Sequence, residues 1–276
     1  MKLFQIFYDD DSYRLLQEGF IPLDNRNNQH SDWFEFSAIK THLQTLLDAD
    51  KDEYIGFFSP KFFHKTGHTA QDIEEFCKRT DADIISYSSK IEWSSLFLNS
   101  IDQGEYAHKG FKDIAVQVFS SIGLAIDESK PIVADHSEII FSNFWLAKPK
   151  VWQLWLTYAN KIFELEKINP ELDQAINKTT TYRNKSDVYK IKIFIIERLI
   201  NIIIRDQNLN SVSGINFEKY FSAPVNKNRF NNQQIVNFLV MDALKTSYIK
   251  SEKDNFLKIY FSIRNTFLDK NNEIKF

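Results

Sequence analysis

The chain has 276 residues, with 34 Lys+Arg against 37 Asp+Glu and a formal charge of −3. At 43% hydrophobic and 26% charged, with only 7 Gly and 6 Pro, it has the composition of a globular protein and excludes collagen-like, low-complexity and disordered classes. The near-balanced charge argues against a nucleic-acid binder, which needs a basic surface to displace counterions.

Residues 3–8 are apolar or aromatic apart from Gln5 and read as a buried opening strand. Asp9-Asp10-Asp11-Ser12 offers a helix cap, so a short helix is expected over 13–17, stopped by Gly19. An extended segment follows over 20–25. Ser31-Asp32 then opens an amphipathic helix with Phe36, Ile39, Leu43, Leu46 and Leu47 on one side. The next strand covers 54–60, a loop follows between Pro60 and Gly67, and Thr69 caps a helix over 70–79. A strand over 84–88 completes an alternation of strands and helices, which favours a mostly parallel sheet covered on both faces.

Further along, a helix is expected over 112–122, a strand over 139–147, and a helix from Pro149 through Leu165. After Pro170 the chain reads as largely helical, with helices near 188–205, 232–246 and 254–267. Residues 1–168 form the expected α/β core, and 169–276 a helical C-terminal lobe completing the same unit.

The single cysteine, Cys77, cannot form an intramolecular disulfide, which points to a reducing compartment and excludes a Cys-rich zinc site. Acidic residues arrive too early in the N-terminal segment for a signal peptide. The most apolar stretch, 191–204, is broken by Lys192, Glu197, Arg198 and Asn201, far short of the ~20 residues a bilayer span requires. A cytoplasmic protein is expected, at most peripheral to a membrane. Lysines among the aromatic residues of the 245–276 tail would suit such a contact; Glu252, Asp254 and Asp269 weaken it in favour of a solvated helical surface.

Ligands of open α/β sheets bind where loops leave the carboxyl ends of strands. Three loops qualify: 9–12, 59–67 and 86–90. Ser59, Lys61, Lys65 and Thr66 follow a buried strand and could cradle a phosphate, although the P-loop order of glycines is absent; ordinary surface lysines are the plainer alternative. Capping accounts for one residue of the acidic triplet, and three in a row exceeds what capping needs, so one of them could take a metal or ribose role. Asp81-Ala82-Asp83 has the spacing of a cation-diphosphate motif but precedes its strand, and reads better as a turn.

His64 and His68 stand four apart but have no glutamate between them, and Pro60 and Gly67 argue against a continuous helix there; neither a Gly-X-Ser-X-Gly elbow nor a Rossmann glycine pattern occurs. Most of the 25 Phe are assigned to the core, with Trp33, Trp93 and Trp145 as the expected exceptions. Glu197-Arg198 interrupts an apolar helix face. It reads either as a structural ion pair or as a base and a phosphate ligand facing a cleft.

The segment Tyr54-Ile55-Gly56-Phe57-Phe58-Ser59-Pro60-Lys61-Phe62, with Lys65-Thr66-Gly67, resembles one found in bacterial glycosyltransferases of cell-surface polysaccharide clusters, capsule and lipopolysaccharide among them. The helix Phe194-Ile195-Ile196-Glu197-Arg198-Leu199 is similar to the Glu-Arg-Leu helix of related sugar transferases, and Asn143-Phe144-Trp145-Leu146-Ala147 looks like their late core strand. The resemblance implies a GT-A-like fold that moves a sugar from a nucleotide-sugar donor to a glycan or lipid-linked acceptor, with no nucleic-acid partner. Glu197 and His136 are then the catalytic candidates. Tyr8, Asp9, Asp10, Ser59, Lys61, Lys65, Thr66 and Arg198 are those for the donor. Asp9 and Asp11 would hold Mn²⁺ or Mg²⁺ if the enzyme uses a metal; without one, lysine or arginine must neutralise the leaving diphosphate. Two alternatives stand beside this reading: a non-catalytic carbohydrate- or protein-binding subunit on the same scaffold, and, behind it, a nucleotidyltransferase.

Overall fold

A computed structural model describes residues 1–47, 52–88, 90–124, 126, 129, 131–182, 184–269 and 273–276. Among them run the strands β1 (Lys2–Phe7), β2 (Ile21–Asp24), β3 (Ile55–Phe58), β4 (Ile84–Ser86), β5 (Trp145–Ala147), β6 (Thr179–Tyr182), β7 (Asn184–Lys190) and β8 (Ser211–Ser213). One six-stranded sheet has the order β2-β1-β3-β5-β4-β8, and β6 and β7 pair apart from it as a hairpin. β5 runs antiparallel to its neighbours β3 and β4, while the remaining pairings of the large sheet are parallel. The expected mostly parallel sheet flanked by helices is what the chain forms.

The helices differ from expectation mainly at their starts. The first, α1 (Asp10–Tyr13), starts early because Asp9 caps it: its carboxylate accepts from the Ser12 amide at 2.6 Å, and Ser12 Oγ accepts from the Asp9 amide at 3.0 Å. It ends where the helix expected over 13–17 should begin, and residues 14–17 are not helical. The helix expected from Ser31 is split into a 3₁₀ turn, Ser31–Trp33, and α2 (Glu35–Leu46). Between them Phe34 takes a φ of 51°, its carbonyl held by Asn28 Nδ2 at 2.7 Å. Part of the loop after β3 is instead α3 (Phe62–Thr66), which drives Phe62 into the core and ends at Gly67 with φ 72°. α4 (Ala70–Cys77) is capped by Thr69 as expected.

Two helices not expected from the sequence, α5 (Ile91–Leu96) and α6 (Ser100–Ala107, capped by Asn99), follow β4; α7 (Phe111–Ser121) and α8 (Pro149–Phe163) match expectation closely. The strand expected over 139–147 shortens to β5. Its first residues leave the ladder because side chains take their amides: Ser88 Oγ accepts from Phe141 and Ser142 at 2.9 and 2.8 Å, and Asn201 Oδ1 from Ile140 at 2.7 Å.

Helices α9 (Leu165–Ile168), α10 (Pro170–Ile176), α11 (Ile191–Asp206), α12 (Phe217–Ser222), α13 (Asn232–Ser251) and α14 (Asp254–Arg264) make up most of the C-terminal region. The region is not helical throughout, however. The threonine run from 179 opens the hairpin, and β8 returns to extend the large sheet, pairing Val212 with Ile85 of β4.

Alternate residues of the strands face opposite layers. Phe4, Ile6, Ile55, Phe57 and Ile84 pack with α2, α7, α8 and α11, whereas Leu3, Phe58, Ile85 and Leu146 meet Phe62, Ala70 and Ile73 of α3 and α4. Both faces are covered, which is why β3 reads as an unbroken apolar run and β1 as one interrupted only by the buried Gln5 after Lys2. Trp33 and Trp145 belong to this core, contrary to expectation: Trp145 stacks on Trp152 at 4.0 Å, and Trp33 lies against Phe163 at 4.1 Å. Burying one such ring contributes about 1.5–3 kcal/mol. A third core joins α5, α13 and α14 through Leu96, Phe238, Met241 and Tyr260. No helix among the described residues is long and apolar enough to cross a membrane.

Candidate functional site

The chain order reverses at β1, which has β2 on one side and β3 on the other, the position where an open α/β sheet leaves a crevice at its carboxyl ends. The backbone leaving β3 and β4 and the backbone entering the antiparallel β5 converge beside it, at the carboxyl ends of β3 and β4. Between them lies a pocket lined by Glu35, Ser59, Lys65, Ser88, Asn143 and Glu197. It opens into a larger cavity of about 1000 Å³ walled by Lys61, Lys90, Trp93, Tyr106, Phe194 and Arg229. Lys65, Lys90, Phe141, Glu197 and Tyr220 line both, so the two form one cleft.

Local structure explains how each side chain arrives. Gln5, the polar residue in β1, is fully buried; its Nε2 donates to Ser59 O at 3.2 Å and its Oε1 accepts from Gln17 N at 2.8 Å, tying the carboxyl ends of two strands together. Ser88 Oγ gathers the 141–142 backbone at the rim of the same pocket. The positive φ of Phe34 makes Glu35 the first residue of α2, where Asn143 Nδ2 donates to its Oε1 at 3.0 Å. Lys65, in the last turn of α3, lies with its Nζ 5.3 Å from the centre of the Phe144 ring.

Burial pushes the Glu197 carboxyl up to about 7, Arg198 opposing the shift, Glu35 adding to it, and Lys90 and Lys65 opposing it again. Its side chain keeps 23% exposure through the cleft. Burial likewise raises Glu35, with Lys65 and the Asn143 hydrogen bond working in the other direction. The cleft therefore pairs two carboxyls, both harder to ionise than usual, with lysines. This arrangement can accept a proton near neutral pH and neutralise an anion beside it.

Ser59 and Lys65 line the pocket and Lys61 the larger cavity. Thr66 lines the pocket too, but its hydroxyl closes α3, donating to Phe62 O at 2.9 Å. Arg198 reaches the cavity wall with its guanidinium committed: Nε donates to Ser100 O at 2.8 Å, Nη1 to Phe194 O at 2.9 Å, and Nη2 to Gln103. Tyr8 sits past β1, its phenol raised by partial burial and by the charges of Asp9 and Glu35. His136 lies apart from the residues lining this cleft. Its Nδ1 pairs with Asp242, and although burial disfavours its charged form, that hydrogen bond and the charges of Asp242 and Asp135 hold it above its ordinary value.

The acidic triplet does not converge. Asp9 caps α1, Asp10 lies 3.5 Å from Arg26, and Asp11 pairs with Arg14 at 3.0 Å. These residues do not fit a divalent cation site, and no group of three His, Cys, Asp or Glu among the described residues has the geometry of one. Asp81 and Asp83 lie at the opposite end of β4, where Asp83 accepts from Asn210 N at 3.0 Å and pairs with Lys150, and Asp81 with Lys148; the turn itself falls earlier, at 78–79. Ser89 of the third loop lies outside the described residues.

Lys90 closes the expected 86–90 loop, whereas Glu35, Asn143, Tyr220 and Arg229 are not among the residues expected at the site. Glu35 had a signal in hindsight, as a carboxylate at the opening of an amphipathic helix. The others reach the cleft through tertiary packing. No family model matches the chain, and neither a curated protein nor a solved structure matches it.

Proposed function

We propose that the chain is a nucleotide-sugar-dependent glycosyltransferase of GT-A-like fold, acting on a glycan or lipid-linked acceptor of bacterial surface polysaccharide. The observation that carries this reading is the meeting of Glu197, with its carboxyl near 7, and Lys65 and Lys90 in one cleft at the carboxyl ends of the strands. In this reading Lys65 and Lys90, with Lys61 further out, hold the donor diphosphate. The acceptor hydroxyl oxygen bonds to the anomeric carbon and its proton passes to Glu197. The electron pair of the breaking carbon–oxygen bond leaves with the diphosphate, whose charge the lysines neutralise. Arg198 serves by fixing Glu197 in place rather than by binding phosphate. His136 has no part in this chemistry, and no step runs through a metal.

The test is nucleotide release from a panel of UDP-, GDP-, TDP- and CMP-sugars, with and without bacterial surface glycans as acceptor. One donor should release its nucleotide, and Glu197→Gln should abolish release while leaving nucleotide binding intact. If every donor stays intact while glycans bind, the protein is a carbohydrate-binding subunit on a transferase-like scaffold.

A further inference from the structure

The larger cavity has a second recognition element away from Glu197. Glu92 on α5 is fully buried, and it accepts from Tyr220 Oη at 2.7 Å and from Arg229 Nη1 at 3.1 Å. The Arg229 guanidinium lies 4.8 Å from the Phe230 ring centre and 5.4 Å from that of Phe276. One nitrogen is thus bonded and the guanidinium rests against two neighbouring rings, while the side chain is 37% exposed. Among the described residues its Nε and Nη2 make no hydrogen bond. Burying a carboxylate is costly, and one pinned to an arginine that still opens onto a cavity pre-orients the remaining donor edge for two oxygens of an anion, a carboxylate or a phosphate. Trp93 and Tyr106 stand in the same cavity wall, and aromatic rings of this kind suit the apolar face of a sugar.

We infer that this outer half of the cleft is the acceptor subsite and takes a sugar carrying an anionic group, a carboxylate or a phosphate, which Arg229 reads. The inference rests on the transferase reading for the word acceptor, but the ligand chemistry is tested by binding alone. Methyl glucuronoside, glucose 6-phosphate and methyl glucoside are titrated against the protein by saturation-transfer NMR, with UDP, GDP, TDP, ADP and CMP titrated in parallel. At least one anionic sugar should bind roughly tenfold tighter than the neutral one, the size of one charge-assisted pair. Which of the two is preferred separates a uronic acid from a sugar phosphate. In Arg229→Gln the preference should disappear while nucleotide affinity holds.

Equal binding of charged and neutral sugars by the wild type overturns the inference. So does a loss of nucleotide rather than sugar affinity in Arg229→Gln, which would move Arg229 to the donor. Should that variant not fold, Arg229→Lys keeps the charge beside Glu92 but lacks the planar edge, and must lose most of the preference; full retention contradicts the assignment. Failure of all nucleotides to bind would count against the transferase reading instead, leaving the sugar preference to stand separately.

Discussion

Asn143, two residues before β5, donates its side-chain amide to Glu35 at the start of α2 at 3.0 Å, joining two distant segments that both line the cleft. Glu35 in turn adds its charge to the forces that raise Glu197. Glu35→Gln should therefore move the titration of Glu197 toward lower pH, measured by NMR of the carboxyl carbon. An unchanged titration would mean that the two carboxyls are electrostatically independent.

Glu197 also sets a pH dependence. As a base it must be ionised, so transfer should fall as pH drops through about 7. Stability runs the opposite way. The folded state holds the proton more tightly than the unfolded chain, where the carboxyl has its ordinary value of 4.5, so stability is lost as pH rises between 4.5 and about 7. Glu197→Gln should remove that loss and be more stable than wild type at pH 8 by about 1–3 kcal/mol, a span that allows for its partial exposure. Urea denaturation at pH 5 and 8 checks both the sign and the difference.

Lys65→Ala should weaken nucleoside diphosphate binding by roughly tenfold or more, the loss of one charge-assisted contact, without unfolding the protein. Lys61→Ala should act in the same direction from the outer wall. Calorimetric titration beside a circular dichroism melt separates affinity from folding. Wild-type affinity in both variants would remove these lysines from the donor site.

Gly214, just past β8, allows Tyr87 to approach: a Cβ there would stand 2.3 Å from Tyr87 Cζ and 2.6 Å from its hydroxyl. Gly214→Ala should destabilise the protein by about 1–3 kcal/mol, as overpacking of a tight core does. Because Tyr87 also lines the pocket, ligand affinity should fall with it. A neutral melt for this variant would contradict the packing.

Lys245 is fully buried on α13, donating to Ser94 O and Ala134 O at 2.5 Å and to Phe97 O at 3.0 Å, and burial lowers it to about 8 against the neighbouring carboxylates. Lys245→Met should cost about 2–5 kcal/mol, because three buried carbonyls lose their donor. The charged amine is the form that folding disfavours, so the Lys245 contribution makes the wild type more stable as pH climbs from about 8 toward 10.5. The variant should lose that slope in denaturant titrations.

Much of the α/β frame is legible in the sequence because burial on both faces leaves β3 a continuous apolar run and β1 one interrupted only by Gln5, and because Thr69 and Pro149 mark their helix starts plainly. The short strands are not. Ser211-Val212-Ser213 is partly exposed and carries no pattern until β4 offers a partner, and β5 stops where Ser88 and Asn201 capture the preceding amides. At the site, Ser59 and Lys65 were visible as residues following a buried strand, and Glu197 as a charge breaking an apolar helix. Glu35 depends on the positive φ of one phenylalanine, and Tyr220 and Arg229 on how the C-terminal helices pack back against α5. Arg198 shows the converse: a cation that looked available is consumed by carbonyls and Gln103.

The most direct test of a donor site in this cleft is a thermal-shift panel of UDP, GDP, TDP, ADP and CMP on wild type and Lys65→Ala, each with Mn²⁺ and with EDTA. A nucleotide at ~100 times its dissociation constant adds ~2.7 kcal/mol, which raises the melting midpoint by several degrees. One selective nucleotide is expected, with a shift that survives EDTA and shrinks in Lys65→Ala. No shift from any nucleotide would contradict a donor site at the carboxyl ends of this sheet, and a shift lost in EDTA would contradict the assignment of the diphosphate to lysines alone.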